Sequence, residues 1–169
     1  ESVVNADSSG YVDYYVREGA RISLNTTLYS MDADGTINKL LSEMSEKDTT
    51  LTDDDITKLK DKIYTFTNNY DDMDFNEVYN FKNNVQGTVA DLINMNALDS
   101  LIKNNSDSQF SINKARNTGI VLYRFDGYEN KKAKELTMDD FRAKNYSSQL
   151  VNSGDYVEAN EPIYKSITD

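Results

Sequence analysis

A chain of 169 residues, 38% hydrophobic, with 29 acidic against 18 basic residues, can close one modest core. Its formal charge of −11 argues against nucleic acid or an anionic membrane surface as a direct partner, since both demand clustered Lys and Arg. With no histidine and no cysteine, zinc centres, thiolate nucleophiles, Ser-His-Asp triads and disulfides are excluded, and any catalysis would rest on carboxylates, Lys or Tyr.

Residues 2–32 read as four short strands, at Val3-Val4, at Tyr11-Val12 with Tyr14 and Val16, at Arg21-Ile22, and at Thr27 to Met31. β-Branched and aromatic residues alternate with polar ones there, and Ser9-Gly10 and Glu18-Gly19 supply the turns. From Thr36 the period changes. Ile37, Leu40, Leu41 and Met44 predict a helix over 36–47, and 48–52 break it. Thr52-Asp-Asp-Asp55 then reads as a capping box with Asp in the usual Glu or Gln position, opening a helix over 53–70. Ile56, Leu59, Ile63, Phe66 and Tyr70 alternate by three and four along it, as a coiled-coil seam does.

The run 68–74 predicts a turn, and Asp74-x-x-Glu77 caps the next helix, over 74–103. Its stripe is Phe75, Val78, Phe81, Val85, Val89 and Leu92, with Gly87 a weak point; at 1.5 Å per residue it spans about 43 Å. The simplest packing is an antiparallel hairpin with one broken arm and its tip near Tyr70 to Met73. After a polar loop at 104–108, strand-like segments return. Asp126-Gly127-Tyr128 marks a turn, and Thr137-x-x-Asp140 predicts a short helix to about Lys144.

The two strand regions repeat one another. Ala6, Gly10, Val12 and Tyr14 align with Ala115, Gly119, Val121 and Tyr123, while Gly19, Ile22, Asn25, Leu28 and Tyr29 align with Gly154, Val157, Asn160, Ile163 and Tyr164. The chain is thus α+β: half-modules at 1–35 and 105–169, a helical hairpin at 36–104 between them, and an insertion at 127–149 as the main asymmetry.

This half-motif, Gly-x-Val followed by Glu-Gly or Gly-Asp, a hydrophobic residue and a Leu-Tyr or Ile-Tyr pair, resembles that of lipoyl and biotinyl domains. Two halves around a helical hairpin resemble the barrel-sandwich hybrid of HlyD-like membrane fusion proteins, the adaptor subunits of efflux and secretion systems. A cofactor carrier would place its lysine after the first half's last strand, where this chain has Gly35, and it has no Met-Lys-Met. No cofactor is therefore expected, the shared fold notwithstanding.

The resemblance implies a non-catalytic adaptor outside the cytoplasmic membrane, anchored by a segment upstream of Glu1 and followed by a further β domain. Its expected partners are a transporter or permease subunit and other copies of itself, with no nucleic acid and no small-molecule substrate. The expected contact is the hairpin tip, Tyr70, Asp71, Asp72 and Met73, where apolar groups have little core to enter. The hairpin departs from the family pattern in being short and broken. A second reading is a cell-surface module holding wall polymer or a neighbouring protein.

Other motifs carry blander readings. Ser30-x-Asp32-x-Asp34-Gly35-Thr36-Ile37 has the middle of a calcium loop, yet Leu41 stands where a bidentate Glu is required, so a strand-to-helix turn is expected and no metal. Asp71, Asp72 and Asp74 suggest a cap and a solvated turn over a cation site or glycosidase pair. Tyr14, Tyr15, Tyr29, Tyr123, Tyr156 and Tyr164 lie in strands, where Tyr on a half-exposed β surface is ordinary and a saccharide site is the less expected use.

Overall fold

The structure, a computed structural model, describes residues 1–45, 51–71, 75–104, 110–142 and 146–168. It divides into two compact units, Glu1–Asn38 with Gln109–Asp169, and Lys39–Ser108.

The first unit is the β-structure. The first half supplies β1 (Ser2–Asn5), β2 (Gly10–Tyr14), β3 (Arg21–Ile22) and β4 (Thr27–Asp32). The second supplies β5 (Phe110–Lys114), β6 (Gly119–Leu122), β7 (Arg124–Phe125), β8 (Gln149–Leu150), β9 (Tyr156–Val157) and β10 (Pro162–Ile167). Two four-stranded sheets run β1-β10-β6-β3 and β5-β4-β2-β9. Under the sequence repeat, β1 to β4 correspond to β5, β6, β9 and β10, so the second sheet is the first with the halves exchanged. Each sheet takes two strands from each half, and neither half can close a sheet alone.

The repeat extends to individual hydrogen bonds. Gly19 N donates to Val121 O (2.8 Å) and Gly154 N to Val12 O (2.7 Å); Ala115 N donates to Thr26 O and Ala6 N to Glu161 O, both at 2.8 Å. Asn25 and Asn160 both hold positive φ, 66° and 72°, a conformation Asn tolerates better than most residues. The equivalent pairs Val12 and Val121, Ile22 and Val157, Leu28 and Ile163, and Tyr29 and Tyr164 all lie in the core. Tyr14 and Tyr123 stack on each other, with centroids 3.8 Å apart.

Gly10 and Gly119 occupy matching close approaches. A Cβ on Gly10 would stand 2.6 Å from the Asp32 carbonyl oxygen, and one on Gly119 would overlap the carbonyl oxygen of Ile167. Only glycine lets these strands come so near.

The second unit is helical. The chain enters it through α1 (Thr36–Ser45); α2 is Asp53–Asn69 and α3 is Phe75–Asn104, continuous through Gly87. Residues 46 and 47, expected in the first helix, and Asp74, the expected cap of the third, lie outside the described residues. Tyr70 is extended (φ −62°, ψ 127°) and closes α2 instead of continuing it. At 30 residues, α3 is about 45 Å long.

Helices α2 and α3 run antiparallel. Asn96 Nδ2 donates to Asp55 Oδ2 (2.8 Å), Lys62 Nζ to Asn84 Oδ1 (3.4 Å), and Phe66 stacks on Phe81 at 3.9 Å. The seam expectation needs correction here. Leu59 and Phe66 are half-buried, but Ile56, Ile63 and Tyr70 are 39%, 47% and 44% exposed. A single partner helix covers one flank of an alternating stripe; the Lys62–Phe66 side faces α3 and the other side does not.

The excursion also differs from expectation. Its stem is the β7–β8 pairing, Arg124 opposite Leu150 and Phe125 opposite Gln149, which the sequence reading did not include. No α-helix begins at Thr137 among the described residues; a single 3-10 turn sits earlier, at Ala133–Glu135. Asp140 Oδ2 accepts from both the Thr137 backbone N–H and its hydroxyl (2.7 Å each), so the box closes a turn, while Lys144 is outside the described residues.

Candidate functional site

The turn from β4 into α1 carries Gly35, which the resemblance to lipoyl domains aligns with a carrier's lysine. Asp32 Oδ2 accepts from Ile37 N (3.0 Å) and Asp34 Oδ1 from Thr36 N (3.2 Å), so both carboxylates satisfy backbone donors at the helix start. Gly35 between them has φ +71°, and a Cβ there would lie 3.3 Å from the Tyr11 ring. Any side chain at this point meets both the left-handed backbone and the tyrosine. The local geometry is that of a helix entry.

Asp32 is 4% exposed, and burial pushes its carboxyl above the usual range, opposed by the Ile37 N–H. Asp34 is exposed and held below that range by the Thr36 side chain and N–H. Among the described residues no three acidic side chains converge as a cation cage would require.

At the hairpin, the anchor is Asp55, 4% exposed. Its side chain accepts from Thr52 N (3.0 Å), the Thr52 hydroxyl (2.7 Å) and Asn96, while Thr52 Oγ1 accepts from Asp55 N (3.2 Å). The Asn96 and Thr52 bonds bring its carboxyl down to about 2. A buried carboxylate here ties the start of α2 to α3 and fixes the register of the arms. At the other end Tyr70 packs on Phe66 (5.4 Å) and is 44% exposed, and Asp71 is exposed. Asp72, Met73 and Asp74 lie outside the described residues.

The strand tyrosines correct the expectation of a half-exposed tyrosine surface. Tyr15, Tyr29, Tyr123 and Tyr164 are at most 5% exposed, and of the six only Tyr156 stands well out, at 54%. Their hydroxyls are engaged internally: Tyr14 donates to Ile163 O and Tyr123 to Val16 O, both at 2.5 Å, and Tyr15 shares a 2.6 Å bond with Ser30 Oγ. Burial pushes the Tyr29 phenol up to about 12, and those of Tyr14 and Tyr15 further. The buried rings are structural, and the hydroxyls of Tyr14, Tyr15, Tyr123 and Tyr164 each meet a partner within the β unit.

The sequence reading missed Lys165. It lies 8% exposed within β10, where its repeat counterpart is Ser30 of β4. Its Nζ meets Glu129 Oε1 at 3.1 Å and Glu1 Oε1 at 3.4 Å. Glu129 Oε1 also accepts from Asp126 N (2.8 Å), so this pair pins the excursion to the sheet. The available signal was a lysine inside the core-facing run Ile163-Tyr164-Lys165-Ser166.

Comparison with known proteins places the architecture. The family described as RND related, barrel-sandwich hybrid domain matches residues 1–168. No curated protein matches the chain. Among solved structures, the crystal structure of ZneB from Cupriavidus metallidurans aligns over 98% of this chain at 8% identity, with a TM-score of 0.34. The chain spans 60% of the length of that structure. With the family matching nearly the whole chain, the protein belongs to the RND-related barrel-sandwich hybrid domain family.

Proposed function

We propose that this domain is the scaffold of a membrane-fusion-type adaptor. It acts by protein–protein contact outside the cytoplasmic membrane, in a transport, efflux or secretion system, and performs no catalysis of its own. The observation that carries the reading is Gly35. The fold is that of a cofactor arm, yet the acceptor position is a glycine held at φ +71° against Tyr11, inside a turn whose carboxylates cap a helix. Without an acceptor, such a fold is left to work through contacts with partners. Residues Tyr70 to Met73 are the proposed point of contact, and a transporter or permease subunit is the proposed partner. Anchoring through a segment upstream of Glu1 belongs to the same proposal.

The test is site-specific crosslinking of the intact membrane-associated protein to the permease that copurifies with it. Tyr70→Ser with Met73→Ser should abolish the crosslink while leaving the circular dichroism spectrum unchanged. An undiminished crosslink from a folded variant would remove the tip from the interface. Failure to copurify with any permease would remove the adaptor reading itself.

A further inference from the structure

The excursion is firmly built, yet it displays apolar side chains. Besides the Lys165–Glu129 pair, Tyr128 N donates to Asp126 Oδ1 (3.0 Å), Tyr128 stacks parallel to Tyr146 (centroids 6.4 Å apart), and Lys131 reaches Asp140 at 3.4 Å and the Tyr128 ring at 4.5 Å. On this frame Met138 and Phe141 stand 83% and 64% exposed, and lysines 132 and 134 of the same segment are exposed too. Met138 and Phe141, exposed on a segment braced by these contacts, are of the residue types that interfaces bury.

The same unit carries a recess of opposite character. Phe125, Val151, Val157 and Pro162 line a pocket of about 270 Å³, together with Tyr156, Asp155 and Glu161. No basic residue lines it. Its volume lies below the ~300–1,000 Å³ of sites that enclose a small-molecule ligand, and suits one large side chain. Both carboxylates are exposed and fixed by turn bonds, Asp155 Oδ2 from Asn152 N (2.8 Å) and Glu161 Oε2 from Glu158 N (2.9 Å).

From this complementarity of size and charge we infer that the recess receives Phe141 or Met138 of a second copy of this chain, with Lys132 and Lys134 of that copy against Asp155 and Glu161. Projection and recess are different surfaces, so the contact is head to tail. Self-association forms part of the adaptor reading; the surface that mediates it is what this inference adds. One side chain in one pocket buries far less than the ~800 Å² per partner of a stable interface, so the isolated contact is weak and strengthens when copies are held together.

The chain's lack of cysteine makes the test clean. Phe141→Cys and Tyr156→Cys proteins, carrying different tags, are mixed and oxidised, and the mixed disulfide is compared with that from Phe141→Cys and Tyr79→Cys. Tyr79 is similarly exposed, at 61%, but lies on the hairpin. The first pair should crosslink several-fold more than the second. Sedimentation equilibrium up to high concentration should show salt-sensitive association that is lost both in Lys132→Glu/Lys134→Glu and in Asp155→Asn/Glu161→Gln. The latter substitutions keep the oxygens that accept the turn bonds. Equal crosslinking of the two pairs, a wild-type chain that stays monomeric, or association indifferent to either charge variant would overturn the inference. Any of these would leave the adaptor reading intact, because that rests on Gly35 and is tested separately, by the crosslink from the hairpin tip to the permease.

Discussion

The most demanding prediction concerns Gly10→Ala and Gly119→Ala. Each substitution adds one methyl group where a strand passes a carbonyl oxygen of its neighbour. At Gly10 the new carbon would sit 2.6 Å from Asp32 O, and at Gly119 it would collide with Ile167 O. The obstructing atom is backbone in both cases, so no rotamer change relieves it. Overpacking of this kind costs about 1–3 kcal/mol, whereas removing a glycine's freedom from the unfolded chain returns only about 0.4–1 kcal/mol. The net loss is up to about 2.6 kcal/mol for each variant. The two sites belong to different sheets, so their losses should add, and the double variant would forfeit a large share of the ~5–15 kcal/mol typical of a domain.

Urea unfolding followed by tyrosine fluorescence measures this directly, as the chain has no tryptophan. Gly127→Ala is the control: its φ is +80° but nothing lies within 4 Å of its Cβ position, so it should carry backbone strain alone, about 1–2 kcal/mol. If Gly10→Ala is as stable as wild type, the close approach is not a constraint. Gly119→Ala should lose more than Gly10→Ala, because Gly119 also holds φ +150°, which a side chain rarely adopts.

Three further outcomes follow from the polar groups. Asp55 has a depressed carboxyl, so its contribution is present above the unfolded pKa near 4 and is lost as pH falls toward about 2; Asp55→Asn should flatten helical stability across that window, read by circular dichroism. Asp32 has the opposite sign. Its raised carboxyl contributes stability below the unfolded pKa that is lost as pH rises, and Asp32→Asn, which keeps an oxygen for Ile37 N, should unfold later than wild type in neutral urea. Glu129→Gln leaves Lys165 with the more exposed Glu1, at a cost of about 1–3 kcal/mol for the lost charged partner, and should speed proteolysis within 130–148; the Glu129→Met/Lys165→Met double should recover part of the loss.

Much of the architecture was legible in the residues because periodicity is a local property. The switch from the strand pattern of Thr27 to Met31 to the spacing of Ile37, Leu40 and Leu41 marks β4 giving way to α1. The Thr52-to-Asp55 box marks the start of α2 because both partners lie within one turn. The glycine at 35 could be read by counting from Leu28, since a repeat preserves distance along the chain. The α2 stripe, by contrast, was legible as a stripe but not as a contact: which flank faces α3 depends on how the arms pair.

What the sequence by itself determined is the repeat and the positions of the helical arms. Each follows from spacing within one segment, or from identity at aligned positions. Only the tertiary structure decided that each sheet draws strands from both halves, that Asp55 is held by Asn96, and that Lys165 anchors the excursion through Glu129. Those pairings join residues far apart in the chain, and no local pattern records which distant partner satisfies a buried charge. The strand tyrosines show the same division. Alternation placed them in the sheets, but the hydroxyls of Tyr14 and Tyr123 reach carbonyls of Ile163 and Val16, which became neighbours only when the two halves closed on one core.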